Sequence, residues 1–283
     1  FISCSALATG ALFIPRFLKG FDKTPRVNLH SENKLVVIQL SGGNDGLNTV
    51  IPYNQDAYYK LRPTLAIREN LLLKLTDQIG LNGGLSFLKD LYENGDLCII
   101  NNVGYPEPDF SHFRAMDIWH SASGSDKMIS TGWIGRYLDN LNVEESLPYK
   151  AIEMDGTLSL ALKGERINGF ALHNLRQLQA LPNKDFLTRA SHKFHDHDND
   201  SNSYLYKTLS ETFSATSYIV SKSQVHKSNQ VYPDTKFCKD LKNVASLINS
   251  EADTSVYYVS IAGFDTHVNQ LNQQSARFKT LNE

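Results

Sequence analysis

Lys34–Tyr53 reads Lys-Leu-Val-Val-Ile-Gln-Leu-Ser-Gly-Gly-Asn-Asp-Gly-Leu-Asn-Thr-Val-Ile-Pro-Tyr. Its first half, Leu35–Leu40, is an almost unbroken aliphatic run, the pattern of a strand covered on both faces of a parallel sheet, and it is read here as the centre of that sheet. The run breaks at Ser41-Gly42-Gly43-Asn44-Asp45-Gly46, where three glycines permit positive φ and let a ligand approach the backbone closely. Asp45 then falls at the strand's carboxyl end, the edge at which open α/β sheets bind ligands. The competing reading of Asn44-Asp45-Gly46 is turn chemistry alone.

Moving outward, Asn54–Leu61 reads as a short helix and Gly83–Asn94 as an amphipathic one closed by Gly95 in the C′ position. Asp96–Val103 is predicted to be a second buried strand. With Lys34–Leu40 it makes a β–α–β order, which calls for a right-handed crossover and adjacent parallel strands. After it, Pro106 and Pro108 stop the chain and a helix is expected from near Asp109 or Ser111, with Phe113, Met116 and Trp119 on one face. Ser111 at that helix start is open to two readings, a simple N-cap or a nucleophile whose anionic adduct meets the helix N–H groups.

Further along, Gly132–Leu141 reads as a helix, and Ala151–Met154 and Leu158–Leu162 as short strands. Tyr204–Val225 and Thr235–Ile248 read as a layer of packed helices. The run His192–Asp200 alternates imidazoles with carboxylates, as a metal site can, but its low apolar content fits a solvated loop. Ser255–Ala262 is predicted to be another buried strand, followed by Gly263-Phe264-Asp265-Thr266-His267. Asp265 and His267 lie two apart, so an extended segment projects both to one side, where they can grip a cation. The alternative has Asp265 capping the last helix.

Composition narrows the classes. The 283 residues carry a formal net charge of -2, which offers no basic field for nucleic acid. The three cysteines, Cys4, Cys98 and Cys238, have neither a disulfide-framework nor a zinc-finger spacing. Residues 1–25 open with a short apolar run, Ser5–Pro15, followed by Arg16, Lys19 and Lys23. The run is too short to span a bilayer and reads as the back half of an export signal, with an amphipathic helix as the alternative. A chain that starts at Phe1 and ends in an uncapped helical pattern reads as a fragment.

Asp45, Ser111 and the Asp265–His267 pair are the parts of metal-assisted displacement at phosphorus or sulfur. The motifs Leu40–Tyr53, Arg62-Pro63, Ser111-His112-Phe113, Thr131–Asp139 and Gly263–His267, in this order, resemble the exported bacterial family called domain of unknown function 1501. The resemblance spans residues 30–283, and the opening residues resemble a twin-arginine export signal. It implies an alkaline-phosphatase-like or sulfatase-like α/β fold, a mainly parallel sheet flanked by helices, incomplete at the C-terminus. In that frame Asp45 resembles the metal-bridging carboxylate, Ser111 the nucleophile, and Asp265 with His267 the ligands of a second cation. The resemblance also implies a later Asp-His pair that no residue after His267 supplies, and the Cys-x-Pro-x-Arg signature of a typical sulfatase is absent. The expected function is an exported, periplasmic or cell-surface hydrolase of phosphate or sulfate esters, on a small-molecule or polysaccharide substrate, using zinc, manganese, calcium or magnesium. The alternative is an exported, non-catalytic binding protein on the same fold.

Overall fold

A computed structural model describes residues 33–141, 147–173, 200–225 and 230–283. The expected export signal within residues 1–25, and the His192–Asp200 run apart from Asp200, lie outside them.

The aliphatic run forms strand β1 (Leu35–Leu40), and its partner is the late strand β7 (Val256–Ile261), aligned in parallel with Val36 opposite Tyr257 and Ile38 opposite Val259. The sheet continues through β5 (Ala151–Glu153) and β6 (Phe170–Ala171) in the order β1-β7-β5-β6, all parallel. The α/β class therefore holds, but β1 is not the centre. It lies at the edge of the sheet, with Val36 and Ile38 more than a third exposed. The inner strand β7 is covered on both faces, with Tyr257, Val259 and Ile261 in one hydrophobic cluster and Val256 and Tyr258 in another. That split is the period-two alternation of a strand between two helical layers.

On one face the cover comes from α5 (Asp200–Val225), through Ala215 and Ile219, and α6 (Lys236–Asn249), through Phe237, Val244 and Leu247. Phe264 and Phe278, the latter from α7 (Gln270–Asn282), join the same cluster. Thr235 starts α6 as an N-cap, its hydroxyl accepting the Cys238 N–H at 3.2 Å. On the other face α4 (Trp133–Asp139) buries Ile134 and Leu138 against Ala161 and Leu162. Here the Thr131–Asp139 motif turns out to build scaffold. Arg136 donates to the Thr131 and Ser121 carbonyls at 2.8 and 2.7 Å. Asp139 accepts the backbone N–H groups of Glu165, Arg166 and Ile167 at 2.6–2.9 Å.

Two further expectations are corrected. Asp96–Val103 is irregular rather than a strand, so no β–α–β crossover joins it to β1. The segment from 50 to 82 instead forms a small antiparallel sheet of β2 (Val50–Ile51), β3 (Leu72–Lys74) and β4 (Gly80–Asn82), in the order β2-β4-β3. It packs on α1 (Asp56–Leu61), with Ile51, Tyr58 and Leu72 buried together. Leu160–Leu162 is a 3-10 turn, not part of a strand. The amphipathic helix α2 (Ser86–Glu93) forms as expected, with Gly95 beyond it at φ +81°.

The helix α3 (His112–Ser121) also forms, but it turns Ile118, His120 and Ser121 inward and leaves Phe113 and Trp119 largely exposed. Cys98 and Cys238 are both free thiols, one exposed and one buried. Among the described residues no helix is long and apolar enough to cross a membrane.

Candidate metal centre and adjoining cavity

The loop after β1 and the loop after β7 are held against each other by two backbone bonds, Ser41 N–H to Ile261 at 2.8 Å and Phe264 N–H to Ser41 at 3.1 Å. Gly42 and Gly43 make the approach possible. Both lie at positive φ, +115° and +110°, and a Cβ on Gly42 would stand 2.6 Å from the Asp265 nitrogen. A Cβ on Gly43 would stand 2.7 Å from Cε1 of His112, the first residue of α3. These glycines thus serve the packing of two site residues rather than a ligand's access.

The result is a three-residue cluster. Asp265 Oδ1 lies 3.1 Å from His112 Nε2 and 2.8 Å from His267 Nε2. The two imidazole rings stand 6.2 Å apart at 87°. One donor atom from each residue falls within 4.8 Å of the others, and all three side chains are exposed. Asp265 does not cap α7, whose N-cap is Asn269 at φ +53°. His112 is the ligand candidate that the residue patterns did not single out. Its signal was present in the Ser111-His112-Phe113 motif, without a role attached.

Ser111 is exposed and occupies the N-cap position of α3, yet its side chain makes no capping bond; its N–H donates to Asp109 Oδ1 at 2.7 Å. The hydroxyl is therefore uncommitted next to His112 in sequence. It follows an irregular segment rather than a sheet strand.

Asp45 lies outside the cluster. Its carboxylate pairs with both terminal nitrogens of Arg62, accepts from Gln270 Nε2, and takes the Asn48 N–H at 3.3 Å at the start of the 3-10 turn Gly46–Asn48. Gln274, buried in α7, donates to the Asn44 side chain and the Asp45 carbonyl at 3.1 and 3.0 Å. In this structure Asp45 holds the loop in shape.

Beneath the same loops a cavity of about 610 Å³ opens at the carboxyl ends of β1, β7 and β5, lined among others by Gln39, Ser41, His120, Glu153, Ser159 and Ser260. Tyr258 donates to Gln39 Oε1 at 2.8 Å, and His120 Nε2 lies 3.2 Å from that oxygen and 3.3 Å from the Tyr258 hydroxyl. Burial lowers the His120 pKa, with Asp117 opposing, and raises that of Tyr258. Both are therefore neutral near pH 7.

Glu153 ends β5 and is almost fully buried, its Oε2 accepting the Ser159 N–H at 2.6 Å. Burial pushes its carboxyl up to about 7, helped by Asp155 and opposed by the Ser159 bonds and Lys163. Neither Glu153 nor His120 was singled out from the sequence. A carboxylate inside the apolar run Ala151–Met154 was the available signal.

The Glu153 shift has a sign that can be checked. Between its ordinary value near 4.5 and its folded value near 7 the native state holds the extra proton. The stability that goes with that proton is present at acid pH and is lost as pH rises toward 7. Glu153→Gln is expected to melt like the wild type at about pH 4, below the ordinary carboxyl value, and to be the more stable protein at pH 8, by up to about 3 kcal/mol. Paired thermal melts at the two pH values check this. Asp240, whose carboxyl burial also raises, is common to both proteins and cancels in the difference.

Comparison of the chain with protein-family models, with curated proteins and with solved structures finds no match in any of the three.

Proposed function

We propose that this chain is a metal-dependent hydrolase of phosphate or sulfate esters, belonging with the exported alkaline-phosphatase-like proteins that its motifs resemble. The observation that carries the reading is the gathering of His112, Asp265 and His267 at the carboxyl ends of β1 and β7. Two imidazoles and a carboxylate form a donor set suited to zinc or manganese rather than to calcium or magnesium. Ligands of a tetrahedral zinc at ordinary bond lengths stand about 3.3 Å apart. The 2.8 and 3.1 Å contacts of Asp265 are a little shorter than that spacing, and all three donor atoms lie within 4.8 Å of one another.

Three protein donors leave a coordination position for water or substrate, the pattern of catalytic rather than structural sites. A bound cation there supplies charge neutralisation for the ester oxygens and lowers the pKa of a nearby hydroxyl. The chain's own residues do the rest. His112, fixed at the start of α3, and His267, two residues beyond Asp265, would hold the cation together with Asp265. Ser111 brings its uncapped hydroxyl to the same helix end. Its oxygen attacks phosphorus or sulfur, the bond to the leaving alcohol breaks, and water later hydrolyses the ester on Ser111. Asp45 acts as a positioning residue, keeping Gly42 and Gly43 against Asp265 and His112. Export rests on residues 1–25 alone.

Metal analysis by plasma mass spectrometry on the wild type, His112→Ala, Asp265→Ala and Ser111→Ala, with aryl phosphate and aryl sulfate turnover, tests the reading. The expected outcome is stoichiometric metal in the wild type and in Ser111→Ala, loss of metal in the other two, and loss of turnover in all three variants. Because a nucleophile carries most of the acceleration, Ser111→Ala should fall by at least about a thousandfold. A wild type that binds no divalent ion would sink the proposal. Metal without turnover of either ester would leave the exported binding protein.

A further inference from the structure

The cavity beneath the metal cluster has chemistry of its own. We infer that it is a binding site for a neutral carbohydrate or similar polyol, read through Glu153 and the amide of Gln39, and that it receives the alcohol portion of the ester. The second half of this inference rests on the hydrolase reading; the first half does not.

Three observations carry it. The first is place and size. The ends of β1, β7 and β5 converge on the cavity, at the sheet edge where α/β proteins take ligands. Its volume of about 610 Å³ falls in the roughly 300–1,000 Å³ range of small-molecule sites.

The second is a set of polar atoms aimed inward without partners among the described residues. The Gln39 carbonyl oxygen is taken by Tyr258 and His120, which fixes the amide and leaves its N–H groups to donate. Glu153 uses Oε2 on the Ser159 N–H and leaves its other oxygen to the cavity. Buried polar atoms without partners are costly, and a ligand hydroxyl would satisfy them.

The third is charge and shape. Asp117, Asp155 and Glu153 face the cavity alongside Lys236 and Arg277. The Lys236 ammonium is engaged by Asp240 at 2.8 Å, and the Arg277 guanidinium shares the wall with Asp117 and Asp155, so the lining holds no excess of positive charge to select an anion. Phe237, Leu160 and Ile261 supply apolar surface between the polar groups. Sugars present that mixture, with C–H faces and directed hydroxyls. A Glu153 carboxyl pushed up to about 7 is protonated below that pH, where it both donates and accepts, which suits a hydroxyl.

The cavity lining and the metal cluster are joined through the chain. Ser41 precedes Gly42, Ala262 leads into the Asp265 loop, and Met116 stands one turn along α3 from His112. A sugar held in the cavity can therefore carry an ester toward the cluster.

The test is titration calorimetry on chelator-treated protein, with galactose, xylose and cellobiose as probes and phosphate and sulfate as anionic controls. The expected result is saturable binding of at least one sugar and none of either anion. Thr157→Trp, which fills the cavity mouth from an exposed position, should abolish that binding. Glu153→Ala should weaken it about tenfold or more, the cost of losing a hydrogen bond to an ionisable group. No sugar binding in the wild type, undiminished binding in Thr157→Trp, or binding of the anions alone would each overturn the inference. Since the metal has been removed, a negative result leaves metal content and ester turnover untouched. A failed metal site, in turn, would leave the sugar heats unchanged.

Discussion

Arg62→Ala is expected to cost about 3–5 kcal/mol of folding stability, the range found when one partner of a buried ion pair is removed. The magnitude follows from what stays behind. Asp45 is mostly buried, its side chain 14 % exposed, and both of its oxygens face the guanidinium. Without Arg62 the carboxylate keeps only Gln270 and the Asn48 N–H, too little to replace the lost solvation. The guanidinium also lies over the Tyr58 ring at 5.9 Å, so packing is lost with the charge. Urea denaturation of the wild type and the variant measures the difference. A loss below about 1 kcal/mol would mean that the pair is effectively solvated. The variant should also bind metal more weakly, because Asp45 belongs to the loop whose glycines meet Asp265 and His112.

Gly135→Ala is expected to be at least as damaging, costing about 3 kcal/mol or more, or yielding no soluble protein. A Cβ at Gly135 would stand 2.1 Å from the Lys163 carbonyl carbon and oxygen and 2.4 Å from the Gly164 nitrogen. Those are backbone atoms and cannot swing aside as a side chain can. The neighbouring Gly132 is as tight, with the Leu160 carbonyl at 2.0 Å. Gly46→Ala is the control, since a Cβ there meets nothing within 4 Å, and its stability should stay within about 0.5 kcal/mol of the wild type. A Gly135→Ala protein that melts like the wild type would mean that α4 shifts outward without penalty.

Both sites mark what was legible in the sequence. Leu35–Leu40 and Ser255–Ala262 announced strands through unbroken apolar runs, and α2 and α6 announced helices through apolar periodicity and their boundary residues. What an apolar run does not specify is how many faces are covered. Val36 and Ile38 look the same in sequence whether or not a helix lies over them, so β1 read as the centre when β7 holds that place. Strands of two or three residues, such as β2 and β6, are too short to show a period. Asp96–Val103 has strand-like composition, yet Ile100 and Val103 are exposed and no strand among the described residues pairs with them.

The candidate site divides the same way. Asp265 and His267 were readable because they lie beside each other after a strand. His112 and Glu153 join the picture only when distant segments meet, which local spacing does not encode. Asp45 was readable as important and unreadable in role, because Arg62 and Gln270, the residues that hold it, come from two separate helical segments.

The pairing of β1 with β7 sets a timetable as well as a shape. Gln39 and Ser260, neighbours in the sheet, are 221 positions apart in the chain. At ordinary translation rates of about 5–20 residues per second, β1 waits roughly 10–40 s on the ribosome before its partner exists. Contacts of such long range also slow folding after release, since the loop must close before any bond rewards it. During that interval Val36 and Ile38 lie on an unpaired aliphatic ribbon, the kind of segment that associates with other chains. The cluster of His112, Asp265 and His267 accordingly cannot assemble until β7 has docked on β1.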